Sequence, residues 1–294
     1  MRKDQGDDEL DSLFQRGVSS RCEILLILAP TRANRSCGNE EGEGWQAASP
    51  PNIAVRGGRM SKPGDTALTH IPQRVRLIAF DLDGTLADTF EDIAQATNHA
   101  LKAFGRPPLS TETIKSFVGR GARNLMARAL GPDSTAFTDA AAVLWREYYE
   151  RHPTDYTHLY PGAVELLEWL AARDIRSAIW SNKLDSLTQR IAAELGLTAR
   201  VDFVRGECEE FPRKPDPALL DHILNLYGVR REEALVVGDS EPDLELARNA
   251  GVAFCGLLTG QATAADYQAW SVAWVVPTLG DLRQQLETSG ACRR

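Results

Sequence analysis

From Val75 onward, short apolar runs alternate with amphipathic stretches. Val75–Phe80 (VRLIAF) reads as a buried strand. Comparable short runs over Ile175–Trp180, Val201–Val204, Ala234–Val237, Ala253–Leu258 and Val272–Val276 predict further strands. Helical spacing predicts helices over Glu91–Phe104, Thr111–Phe117, Ala122–Leu130, Thr135–Arg151 and Ala163–Ala172, the last opened by Pro161-Gly162. The same spacing predicts helices over Leu184–Leu195, Pro217–Tyr227, Pro242–Asn249 and Leu279–Leu286. Strands alternating with helices imply an α/β fold with a doubly wound, Rossmann-like parallel sheet covered on both faces. The helical block between the first and second strands breaks the alternation. It is long enough to be a small helical cap domain inserted there. The expected organisation is a core of residues 75–90 and 160–294, with a cap over residues 91–159. In open parallel sheets, ligands bind beyond the carboxyl ends of the strands.

Residues 1–74 carry no sustained period of either kind. Stretches such as NRSCGNEEGEG and ASPPNIAVRGGR are rich in Gly, Ser, Pro and Arg, and the segment is expected to be a disordered extension. Asn34-Arg35-Ser36 fits a glycosylation sequon, but the leader is long and acidic rather than secretory. Met60 opens a segment that can serve as a natural start, so residues 1–59 are read as a product of start-site misassignment.

Composition narrows the function. Of 294 residues, 43% are hydrophobic and 25% charged, as in ordinary globular proteins. The net charge is -8; residues 1–74 hold ten basic and ten acidic residues, so the acidic excess lies entirely in residues 75–294. That balance argues against nucleic acid as the partner, since such proteins need a basic footprint. A small anionic substrate is compatible if a few cations converge locally. The longest apolar run, Ile24–Ala29, is too short to span a membrane. Five cysteines (Cys22, Cys37, Cys208, Cys255 and Cys292) show no C-x-x-C pair, which implies free thiols in a reducing cytosol.

Four strand ends carry candidate chemistry. Asp81-Leu82-Asp83-Gly84-Thr85 follows the first strand, and residues i and i+2 of an extended segment project to one side. A carboxylate and a phosphate dianion about 4 Å apart repel by roughly 8 kcal/mol at an effective dielectric near 20, so such a site needs a cation. Magnesium with oxygen ligands fits that need. One aspartate can attack phosphorus, and a second can protonate the leaving group and later activate water. Alone, the segment could also be a strand-closing Asp-Gly turn, the lesser reading. Ser181-Asn182-Lys183 follows the second strand, where a hydroxyl and helix-start N–H groups suit phosphoryl oxygens or simply cap a helix. Lys214, in Arg213-Lys214-Pro215-Asp216-Pro217, either neutralises phosphoryl charge or is a solvated surface lysine. Gly238-Asp239-Ser240-Glu241-Pro242-Asp243 supplies another carboxylate pair, which can hold a metal or cap a helix. Taken together, the set contains a nucleophile, an acid/base, a phosphate clamp and metal ligands, as phosphoryl transfer requires.

FDLDGTLADT, SNK, RKPDP and GDSEPDLELARNAG, in that order, resemble the haloacid dehalogenase superfamily from about Val75 to Leu286. FVGRGARNLMARAL followed by LYPG is similar to its phosphoglycolate phosphatases in particular. The resemblance implies Asp81 as nucleophile and magnesium ligand. Asp83 is implied as acid/base, and as ligand through its backbone carbonyl. It implies Thr85, Ser181 and Asn182 at the phosphate, Lys214 balancing charge, and Asp239 and Asp243 at the metal. The dehalogenases of the superfamily lack the second acid and need no metal, so Asp83 and the Asp239/Asp243 pair disfavour dehalogenation. The implied reaction is hydrolysis of a small phosphorylated metabolite such as 2-phosphoglycolate by a cytoplasmic monomer or homodimer.

Arg120, in Val118-Gly119-Arg120-Gly121, can grip a substrate carboxylate in bidentate fashion or stand in solvent. Trp145, Tyr148 and Tyr149 are read as cap packing. Competing readings are a pyrophosphatase, a sugar-phosphate phosphatase, a phosphomutase, or a silent binding protein that keeps the fold.

Overall fold

The computed structural model describes residues 70–292. The disorder expected of residues 1–69, the Met60 start, the sequon, Cys22 and Cys37 lie outside these. The strands are β1 (Leu77–Phe80), β2 (Ala87–Asp88), β3 (His158–Leu159), β4 (Arg176–Leu184), β5 (Phe203–Glu207), β6 (Ala234–Gly238), β7 (Ala253–Leu257) and β8 (Val275–Val276). Six of them form one sheet in the order β5-β4-β1-β6-β7-β8. Every pairing in it is parallel. β1 is central, with Phe80 in register with Ile179 on one side and Val237 on the other. The chain runs outward from β1 through β4 to β5, then returns to β6 and continues to β7 and β8. Its direction therefore reverses between β1 and β6, and a crevice opens at that switch point.

The pleat explains why both faces are covered. Ile78 and Phe80 of β1 join one core cluster, while Leu77 and Ala79 join another. Four α-helices stand between β2 and β3: α1 (Phe90–Ala103), α2 (Thr111–Lys115), α3 (Ala122–Leu130) and α4 (Thr138–Arg151). In the remainder, α5 (Ala163–Ala171), α6 (Asp185–Glu194), α7 (Ala218–Tyr227), α8 (Glu241–Ala250), α9 (Ala264–Ala269) and α10 (Leu279–Ser289) flank the sheet. Leucines of α5, α6 and α10 pack on the first cluster, and residues of α7, α8 and α9 on the second. Burying each such leucine contributes about 1.5–3 kcal/mol.

The helices between β2 and β3 pack on one another. Buried Phe90, Ile93, Ala94, Thr97, Ala100 and Leu101 recur at helical spacing along α1. Trp145 of α4 donates its indole N–H to Thr97 Oγ1 at 3.2 Å. α4 starts later than the periodicity suggests, because Pro132–Phe137 winds as a 3₁₀ turn. The antiparallel pair β2–β3 forms where the chain enters and leaves this helical block. Strands of two residues carry no readable period, so this pair is absent from the sequence reading. Buried Asp92 ties the two crossings together: it accepts Thr157 N–H at 2.8 Å and Thr157 O–H at 2.7 Å. Among the described residues no helix is long and apolar enough to cross a membrane. Cys208, Cys255 and Cys292 are unbridged.

Candidate active site

Asp81 leaves the end of β1 and Asp239 the end of β6, on the two sides of the switch point. Asp243 sits in the first turn of α8, where Pro242 opens the helix and Ser240 caps it. One carboxylate oxygen from each of Asp81, Asp239 and Asp243 lies within 4.8 Å of the others, and all three residues are buried. Lys214, from the loop before α7, reaches between them. Its ammonium donates to Asp81 Oδ1 at 2.6 Å and to Asp243 Oδ1 at 2.6 Å. Ser240 O–H and N–H donate to the other Asp243 oxygen at 2.5 and 3.2 Å.

The Asp239 carboxylate is held at both oxygens. Thr85 Oγ1 donates to its Oδ1 at 3.0 Å, and Gln261 N–H donates to its Oδ2 at 2.7 Å. A Cβ at Gly84 or at Gly260 would collide with this carboxylate, so the backbone must be bare on both sides. Gly84 also has φ +83, a left-handed conformation that glycine adopts freely. The Thr85 hydroxyl, expected at the phosphate, is thus committed to Asp239.

The second carboxylate of the first motif has its own partners. Asp83 Oδ1 lies 3.0 Å from the Lys183 ammonium and accepts Thr89 O–H at 2.5 Å. Lys183 also donates to the Tyr149 hydroxyl of α4 at 2.6 Å. The sequence reading gives Tyr149 only a packing role and Lys183, within the quoted SNK motif, no role of its own.

Ser181, Asn182 and Lys183 lie within β4, which runs on to Leu184, and not at a helix start as expected; α6 begins at Asp185. The backbone of this polar but buried stretch stays extended, with a register shift against β5 between Trp180 and Leu184. Asn182 is spent on scaffolding. It accepts Lys214 N–H at 2.8 Å and donates to Lys214 C=O at 3.0 Å and Gly119 C=O at 2.9 Å. Ser181 Oγ accepts Lys183 N–H at 3.2 Å. Arg120 stands apart from the group. Its guanidinium donates to Glu241 at 2.8 Å, both side chains 47% exposed, because α8 offers an acidic first turn facing the loop.

A cavity of about 40 Å³ opens onto these groups, lined by Asp81, Asp83, Ser181, Lys183, Lys214 and Trp145 among others. Four carboxyl groups face two ammonium groups, so with all of them ionised negative charge would exceed positive by two. Burial, and then the neighbouring carboxylates, push Asp81 well above the ordinary range against the pull of Lys214. Burial and Asp243 raise Asp239 to about 7. Burial pulls the Lys214 ammonium down, but Asp243 and Asp81 outweigh it and hold the group above its usual value. An all-oxygen set of three buried carboxylates with surplus negative charge fits a hard divalent cation.

Comparison with known proteins identifies relatives of the chain. The model of the haloacid dehalogenase-like hydrolase family matches residues 78–257. Phosphoglycolate phosphatase of Vibrio parahaemolyticus is 34% identical over 226 residues, covering 74% of this chain and 98% of that one. Phosphoglycolate phosphatase 1 of Pseudomonas aeruginosa is 34% identical over 214 residues, covering 70% and 78%. The solved structure of a haloacid dehalogenase-like hydrolase from Streptococcus pneumoniae matches with a TM-score of 0.66 at 26% identity, covering 72% and 98%. With the matched family model spanning more than half its length, the chain is an enzyme of the haloacid dehalogenase-like hydrolase family.

Proposed function

We propose that the chain is a Mg²⁺-dependent phosphatase that hydrolyses a small phosphomonoester, 2-phosphoglycolate, through a phosphorylated Asp81. One observation carries the reading: at the switch point Asp81 shares the Lys214 ammonium with Asp243, beside Asp239, at the wall of a small cavity.

Asp81 attacks the phosphorus, the P–O bond to the alcohol breaks, and the departing alkoxide takes a proton from Asp83. A water then gives its proton to Asp83 and attacks the same phosphorus. The Asp81 carboxylate leaves and inorganic phosphate is released. Lys214 neutralises charge on the phosphoryl oxygens, and the Ser181 hydroxyl holds one of them. Asn182 contributes by fixing Lys214. Asp81, Asp239, Asp243 and the Asp83 backbone carbonyl would hold a divalent cation, which would supply positive charge to offset repulsion between carboxylate and phosphate. The helical block over residues 91–159 acts as the cap that excludes water.

One finding favours 2-phosphoglycolate: both relatives named above carry that activity in their names. Free thiols at Cys208, Cys255 and Cys292 suit a reducing cytoplasm. Phosphate release from a panel of small phosphoesters, with Mg²⁺ and with EDTA, tests the reading. The expected result is metal-dependent release with the highest kcat/KM on 2-phosphoglycolate. Preference for another ester would discard the substrate; transfer back to a sugar would mark a mutase instead.

A further inference from the structure

We propose that Lys183 and Tyr149 are positioning residues that hold Asp83 for proton transfer and link it to the helical cap; this rests on Asp83 being the acid/base. The Lys183 side chain is 3% exposed and Tyr149 is fully buried. The Lys183 ammonium bridges two elements, the segment after β1 and α4. Asp83 Oδ1, after β1, lies 3.0 Å away, and the Tyr149 hydroxyl, on α4, lies 2.6 Å away. The ammonium also sits 4.3 Å from the Tyr149 ring centroid. A buried ammonium that loses a partner is costly, so this arrangement is complete only with α4 docked over the site.

Lys214 cannot do the same task, because Asp81 and Asp243 engage it. Both contacts to Asp83, from Lys183 and from Thr89, fall on Oδ1. The other oxygen, Oδ2, then carries the proton in transit. Fixing one oxygen sets the carboxyl plane, and with it the direction in which Oδ2 meets the leaving group and the water.

The test compares the full-length wild type with Lys183→Met and Tyr149→Phe on 2-phosphoglycolate and on p-nitrophenyl phosphate. Nitrophenolate departs without a proton, whereas an alkoxide needs one from Asp83. Lys183→Met is expected to lower kcat on the alkyl ester roughly 100-fold, at a KM within about threefold of wild type. With p-nitrophenyl phosphate it is expected to release nitrophenolate at a near wild-type initial rate. A slow phase follows, limited by water attack on phospho-Asp81. Tyr149→Phe, which removes one oxygen, moves the same readouts in the same direction by about tenfold.

Equal losses on both esters, or no loss, in variants with wild-type thermal midpoints would overturn the proposal. If Lys183→Met does not fold, Tyr149→Phe decides alone by the same criterion. A wild type inactive on both esters would overturn the reading of Asp83 and this inference with it. An active wild type with unchanged variants would overturn this inference only.

Discussion

The Asn182 side chain clasps the backbone of Lys214 at two points, accepting its N–H at 2.8 Å and donating to its C=O at 3.0 Å. The residue that neutralises the site is thereby registered against the end of β4. Asn182→Ala removes both bonds and the contact to Gly119. It is expected to lower kcat about tenfold or more with little change in KM, since the loss falls on charge placement in the transition state. Steady-state kinetics check this. A KM rise at constant kcat would instead make Asn182 a direct substrate ligand.

The Asp239 carboxylate lies where Gly84 and Gly260 have no side chains, and Gln261 N–H holds it at 2.7 Å. Gly260→Ala would push a methyl group into it. Mg²⁺ affinity, read from the metal dependence of activity, is expected to fall by about tenfold or more. An unchanged metal dependence would show that the carboxylate does not need this cradle.

How far the site can be read from sequence follows from the same contacts. Asp81 and Asp83 were legible because they follow an apolar strand two residues apart; β1 ends at Phe80, and both acids line the cavity beyond it. The central strands were legible as apolar runs, whereas β4 runs on through Ser181, Asn182 and Lys183, whose polarity hides their burial. Lys183 meets Tyr149 across 34 residues, and Gln261 meets Asp239 across 22. No local period encodes either meeting. Gly260 is constrained only by a carboxylate from another strand end. Arg120 was legible as a cation in a glycine loop, but its partner Glu241 lies 121 positions away.

Arg120→Ala is expected to leave KM for 2-phosphoglycolate within about threefold, because an exposed ion pair contributes less than ~1 kcal/mol. A tenfold rise would place the guanidinium on the substrate carboxylate instead.

The pH dependence of stability has a sign fixed by Asp239. Burial and Asp243 raise its carboxyl from 3.8 to about 7 in the metal-free protein. The folded state then keeps a proton that the unfolded state releases. Its stabilising contribution is complete below about pH 4 and is lost as pH rises through about 7. A divalent cation needs the deprotonated carboxylate and so gains as the proton leaves. Differential scanning fluorimetry from about pH 5 to about pH 8 should show the rise in Tm on adding Mg²⁺ growing with pH. A rise that shrinks or stays constant would contradict the assignment of Asp239 to the metal.

The central claim is that Asp81 carries the phosphoryl group. Rapid acid quench of the enzyme turning over 2-phosphoglycolate with Mg²⁺, followed by peptide mass spectrometry, tests it most directly. The account predicts one added phosphoryl group on the peptide containing Asp81, and neither adduct nor phosphate release with Asp81→Asn. A phosphoryl group on another residue, or undiminished phosphate release by Asp81→Asn, would contradict it.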